Sequence, residues 1–149
     1  MEAKRIGLDV SKKVFELHGV NKEGEVVLRK TVRRGALQET FARLPRCVIG
    51  LESCGTAHRW GQELASLGHE VRLMAPHTVA PYRACFETGA STAQVICEAL
   101  GRESTPFTRI KAARRPVRLS LVPASERLLA GLGLVLRREK IAPARRSGS

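Results

Sequence analysis

Two carboxylates stand out for where they fall. Asp9 closes the run Ile6-Gly7-Leu8-Asp9, and Glu52 closes Cys47-Val48-Ile49-Gly50-Leu51-Glu52. Each run is short, apolar and acid-ended, so both acids belong at the carboxyl ends of strands. Asp9 is the only aspartate in the chain. If the two strands lie parallel and adjacent, the acids become neighbours at the crevice where α/β sheets gather ligands. Two such carboxylates can share a divalent ion. Phosphodiester cleavage or strand transfer uses this arrangement: two Mg²⁺ ions about 3.5–4 Å apart activate the attacking oxygen and stabilise the leaving one. Hard cations want oxygen ligands, and a full two-metal site takes three or four acidic groups. The plainer role for a strand-terminal acid is a cap or a surface charge.

The elements around these acids follow from period and punctuation. Arg5–Asp9 reads as a first strand and Val14–Val20 as a second, closing on the turn cluster Asn21-Lys22-Glu23-Gly24. Glu25–Val32 returns as a third. Leu37, Phe41 and Leu44 repeat at four and three, the face of a short helix over 36–44 that Pro45 ends. Cys47–Leu51 is a strand buried on both faces. Thr56 can cap a helix through Leu67, with Trp60, Leu64 and Leu67 inward and Gly68 as its stop. A strand over Val71–Met74 stops at Pro76, Thr78–Thr88 reads as a loop, and Ala90–Leu100 as a helix with Val95 and Ile96 inward. A meander followed by strands alternating with helices is an α/β pattern, a mixed five-stranded sheet with parallel crossovers and flanking helices.

A chain of 149 residues fits one sizeable domain. Its net charge of +12 is uneven: residues 1–100 carry 14 basic against 11 acidic side chains, and residues 101–149 carry 12 against 3. Residues 112–149 therefore read as a basic, weakly structured extension behind a domain over 1–111. Such a surplus suits an acidic polymer, most often nucleic acid, or simply a solvated tail. Lys12, Lys13, Arg33, Arg34, Arg114, Arg115 and Arg118 are candidate phosphate contacts, although the same residues could only keep the surface solvated. Four cysteines spaced at 7, 31 and 12 match neither a zinc ribbon nor a CxxC pair. With no apolar leader and no long apolar run, a soluble, reduced, cytoplasmic protein without membrane contact is the expectation. His58 and His69 flank the helix after Glu52 and read as helix-surface histidines, and Cys54 reads as a small buried filler without a partner base.

The segments Ile6-Gly7-Leu8-Asp9-Val10-Ser11-Lys12-Lys13, Val48-Ile49-Gly50-Leu51-Glu52-Ser53-Cys54-Gly55 and His69-Glu70-Val71-Arg72-Leu73-Met74-Ala75-Pro76, continued by Pro81-Tyr82 and Ile96-Cys97-Glu98-Ala99, carry a family likeness. In order and spacing they resemble the amino-terminal domain of the DEDD-type insertion-sequence transposases, whose catalytic half looks like a Holliday-junction resolvase. The resemblance implies an RNase H-like fold, a Mg²⁺-dependent nuclease site, DNA as substrate and an element-encoded guide RNA, and it allows a homo-oligomer. Carried over by position, Asp9 is the first acid of the tetrad and Glu52 the second. The family's other two aspartates form a D-x-x-D pattern where Gly89 and Thr92 stand here. Glycine offers no ligand and threonine only a neutral hydroxyl. Glu98 sits roughly 13 Å further along the helix, and neither it nor Glu87 is expected to substitute. Mg²⁺ binding and catalysis are therefore expected to be impaired. The family continues into a second domain with a serine nucleophile, a role not expected of Ser147 or Ser149, so the chain reads as a truncated, degenerate amino-terminal domain.

Two other readings share some of these features. One is a non-catalytic, basic nucleic-acid-binding module in which the acids are relics of the fold. The other is an actin- or sugar-kinase-like ATPase fragment, which would need glycine-rich phosphate loops that Gly7 and Gly19 do not supply.

Overall fold

The computed structural model describes residues 2–86 and 89–112, which fall within one compact unit, Met1–Arg114. Glu87, Arg114, Arg115, Arg118, Ser147, Ser149 and the expected basic extension lie outside the described residues.

The chain begins as a meander. β1 (Arg5–Val10) pairs antiparallel with β2 (Val14–Val20), and β2 with β3 (Val26–Arg33). The turn between β2 and β3 is made by Asn21, whose side-chain oxygen accepts from the backbone N–H groups of Glu23 and Glu25 at 3.0 and 2.9 Å. This mimics a backbone turn, and Gly24 at φ 90° supplies the left-handed residue it needs. After a single 3₁₀ turn, α1 (Leu37–Ala42) buries Leu37 and Phe41.

β4 (Val48–Glu52) returns parallel to β1, with Ile6 beside Ile49 and Leu8 beside Leu51. α2 (Ala57–Ser66) then crosses to β5 (Glu70–Met74), which is parallel to β4. Thr56 precedes α2 as expected, but its side chain makes no capping hydrogen bond. The sheet order is β3-β2-β1-β4-β5-β6. This is the expected mixed α/β sheet with one strand more. β6 (Thr108–Ile110) adds antiparallel to the outer edge of β5 and is anchored by one buried residue, Ile110, which packs beneath Gly61 of α2. Three residues are too few to show an alternating pattern, which is why the sequence hid it.

The expected loop at Thr78–Thr88 is another correction. Pro76, read as a stop, opens helix α3 (Pro76–Arg83), where the missing N–H is not needed. Pro81 lies inside the same helix, yet fully buried Val79 and a 2.9 Å hydrogen bond between Tyr82 and Thr105 hold it in place. α4 (Thr92–Leu100) follows the expected inward face and adds an N-cap: the Ser91 hydroxyl accepts from the Gln94 N–H at 3.1 Å.

Helices cover both faces of the sheet. On one, Ile6, Leu8, Phe15, Ile49, Leu51 and Val71 pack with Phe41, Trp60 and Leu64 of α1 and α2. On the other, Val95, Ile96, Ala99 and Leu100 of α4 pack with Met74 and with Val79 of α3. The α4 backbone lies directly on β1 at Gly7. A β-carbon there would overlap the Ala93 carbonyl and approach the Cys97 amide nitrogen to 2.5 Å. Gly7→Ala must lift α4 off the sheet, and urea unfolding should register a loss of about 1–3 kcal/mol, the usual cost of overpacking a close-packed site. An unchanged midpoint would show that α4 does not rest on β1.

Candidate functional site

Backbone pairing decides where the two acids stand. Asp9 and Glu52 each follow the last in-register pair of β1 and β4, Leu8 with Leu51, so they occupy the next row of two adjacent parallel strands. Parallel neighbours in one row point to the same face and lie about 4.8 Å apart along the hydrogen-bonding direction. That face is the one α4 covers, because Gly7, two residues before Asp9, faces α4. Both carboxylates are half-buried.

A cation already stands beside them. Arg83, the last residue of α3, brings its guanidinium to 3.8 Å from the Glu52 carboxylate and donates to the Thr92 hydroxyl at 3.4 Å. The same charge acts on Asp9. Burial pushes the Asp9 carboxyl above its ordinary value of 3.8, and Arg83 pulls it only partly back. Thr92 opens α4, so one of the two positions where the resemblance calls for an acid shares Arg83 with Glu52. Gly89 is different, for it sits at φ 111°, a left-handed conformation that strains any side chain.

The other candidates are sorted by their surroundings. Glu98 pairs with Arg102 at 2.6 Å near the far end of α4, away from the pair as helix geometry required. His69 is buried, not on a helix surface: Nδ1 accepts from the Cys47 N–H at 3.3 Å, and Nε2 donates to the Phe41 carbonyl at 2.9 Å. It precedes β5, at the opposite end of the strands from the acids, and fastens the α1–β4 connection to the start of β5. Its neighbour Cys47 is no nucleophile, since burial pushes that thiol up to about 12. Cys54, expected as buried filler, is exposed, because it falls in the short connection between β4 and α2. His58 is exposed on α2, as expected.

Lys12, Lys13, Arg33 and Arg34 are exposed and gathered in one place. The Arg34 N–H donates to the Lys13 carbonyl at 3.2 Å and its guanidinium to the Lys12 carbonyl at 3.1 Å, which ties the end of β3 to the β1–β2 turn. Since that turn follows Asp9 directly, the basic group flanks the acid pair. Glu16 was overlooked. It is the in-register partner of Asp9 on β2 and adds a third carboxylate to the row, a placement that counting across the tight β1–β2 turn would have revealed. Beside it, a cavity of about 200 Å³ runs between β2, β3 and the start of α4, lined in part by Glu16, His18, Arg29 and Gln94. Burial and then the Arg29 charge lower the His18 pKa below 6.5.

The donor set does not fit two dications. Among the described residues no three His, Cys, Asp or Glu side chains converge to hold a metal ion, and the side chain bordering Glu52 is a cation. No described helix is long and apolar enough to cross a membrane.

A mixed sheet in this order, with helices on both faces and acids at the ends of its parallel strands, is consistent with an RNase H-like fold. No protein-family model matches the chain. It is similar to a protein named as a family 20 transposase from Pseudomonas aeruginosa, 40% identical over 129 residues, 87% of this chain and 38% of that protein. A transposase of Sinorhizobium fredii is 42% identical over 125 residues, 84% of this chain and 32% of its own length. A transposase for an insertion sequence element of Yersinia enterocolitica is 36% identical over 102 residues, 68% of this chain and 30% of its own length. The chain is thus a homologue of insertion-sequence transposases over most of its length, and it spans about a third of the length of these relatives.

The Asp9 shift has a sign that can be measured. A carboxyl whose pKa is higher folded than unfolded favours the fold at low pH and loses that contribution as pH rises through the folded value. Ionised Asp9 is therefore a net burden at neutral pH. Asp9→Asn should raise Tm by a few degrees at pH 7, and the gain should vanish as pH falls below 3.8, where the wild-type carboxyl is itself protonated. A lower Tm at pH 7 would mean that favourable partners hold this carboxylate.

Proposed function

We propose that this domain binds the phosphodiester backbone of DNA at the carboxyl ends of β1 and β4 and is deficient in cleaving it. The observation that carries this reading is the placement of Asp9 beside Glu52 at the ends of adjacent parallel strands, in a chain related to transposases. In the intact family the resemblance points to DEDD chemistry, in which Mg²⁺ held by four acids activates the attacking oxygen. Here Gly89 and Thr92 leave that set incomplete, so no cleavage step is assigned to these residues. What they can do is position a strand. Lys12, Lys13, Arg33 and Arg34 neutralise phosphates, and the acid pair repels a backbone that strays out of register with them. A structured guide RNA presents the same phosphate chemistry and would use the same basic residues.

Two measurements test this. Affinity for duplex DNA should fall steeply with salt, and replacing Lys12, Lys13 and Arg33 together with glutamine should flatten the log–log slope by about 2–3, at roughly 0.9 per lost phosphate contact. The unaltered chain should show no Mg²⁺-dependent nicking of supercoiled DNA. Thr92→Asp places an acid at one of the two family positions on a relaxed helical backbone, whereas Gly89→Asp must strain a left-handed residue. Robust nicking by the wild-type chain, lost in Asp9→Ala, would overturn the deficiency, and a salt-independent affinity would overturn the binding surface.

A further inference from the structure

Arg83 occupies an unusual position for an exposed helix-terminal arginine. Its side chain is about half exposed, yet it does not simply run outward. It turns back toward the sheet, where the guanidinium lies 3.8 Å from Glu52 and 3.4 Å from the Thr92 hydroxyl, close enough for its charge to act on Asp9. Two groups from two elements, Glu52 of β4 and Thr92 of α4, thus face one planar cation delivered by a third, α3, and Asp9 of β1 is the neighbour of Glu52 in the same row. α3 itself is held there by buried Val79 against α4 and by the Tyr82–Thr105 hydrogen bond. The charged and titratable groups around the guanidinium are Asp9 and Glu52 from the sheet, with Glu16 next to Asp9 in the same row. None of the ion pairs among the described residues gives Arg83 an acid other than Glu52.

We propose that Arg83 is the resident cation of the acid pair: its guanidinium stands beside Glu52 at the edge of the pair, so a metal ion shared by Asp9 and Glu52 would have to compete with it. The physical logic is charge balance. Two half-buried carboxylates in one row repel each other and need a positive partner close by. A metal bound by oxygen ligands supplies that charge tightly only if three or more ligands converge; among the described residues none do, so the pair alone offers a divalent ion a weak site that a resident cation can outcompete. An arginine tethered to α3 supplies it within the chain, donating one N–H to Thr92 while its charge faces Glu52. A hydroxyl at position 92 suits this role better than an acid would, since it accepts from the guanidinium without adding a further negative charge. Arg83 and Thr92 thus act together to make the pair self-sufficient. The proposal rests on reading Asp9 and Glu52 as one site, but not on that site's binding DNA.

The test uses the full chain and Mn²⁺ as the probe, with thermal unfolding and Mn²⁺ electron paramagnetic resonance as readouts. In chelator, Arg83→Gln should lower Tm by about 2–5 °C, the scale of one lost charge partner in a domain of this size. Added Mn²⁺ should restore the loss in Arg83→Gln and leave wild type unmoved, with Mn²⁺ affinity at least about tenfold higher in the variant. Arg83→Lys keeps the charge and should remain insensitive to Mn²⁺, which separates charge from mere loss of a side chain. Asp9→Asn combined with Arg83→Gln should abolish the Mn²⁺ response, placing the ion at the pair. Mn²⁺ stabilising wild type as much as Arg83→Gln, or failing to act on either, would overturn the proposal. DNA affinity measured on the same samples reports on the binding surface alone, so the two readings fail separately.

Discussion

Negative charge held half out of water, at the end of two adjacent parallel strands, is the constraint around which this domain is arranged. The β1–β4 register brings Asp9 and Glu52 into one row, and α4 lies over that face. Each feature around them lowers or tolerates the resulting cost. Gly7 and Gly50 lack side chains where α4 must come close, so the helix can rest on the sheet beside the acids. Ser91 caps the start of α4, and Arg83 returns from α3 to offset part of the charge. Burial still outweighs the arginine at Asp9, so the ionised carboxylate is held at a cost to the fold.

The two ends of the parallel strands do different work. At their start, His69 bridges Cys47 and Phe41 through both ring nitrogens, a fully partnered buried group that fixes the connections around β4 and β5. At their finish, the acids, the arginine and the basic β1–β2 turn leave polar groups facing outward. This division matches the general rule that open α/β sheets bind ligands beyond the carboxyl ends of their strands. The proposed function puts a nucleic-acid backbone at that end, with positioning and not cleavage as the task of the acids and the basic turn.

Much of this was legible from residue order, for reasons that are particular. Ile6-Gly7-Leu8-Asp9 and Val48-Ile49-Gly50-Leu51-Glu52 are strands because their apolar runs are short and end in charge, and their parallel pairing followed from the helices between them. α4 was readable because Val95, Ile96, Ala99 and Leu100 make one stripe. α3 was not, because Pro76 and Pro81 are breakers by type, and only their placement at a first turn and beside buried Val79 makes them compatible with a helix. β6 was hidden by its length. Arg83 could not have been found from spacing at all, since its contacts reach back 31 residues to Glu52 and forward 9 to Thr92 through tertiary packing alone.

Because Asp9 is the only aspartate, labelling aspartate with ¹³C places a single carboxyl resonance in the heart of the site. Following that resonance with pH, in the wild-type chain and in Arg83→Gln, tests the burial of the carboxyl and its cation partner together. The midpoint should lie above 3.8 in the wild type and move further up when the guanidinium is removed. A midpoint at or below 3.8 that ignores Arg83 would place Asp9 in open solvent, away from the arginine, and leave no shared site at the ends of β1 and β4.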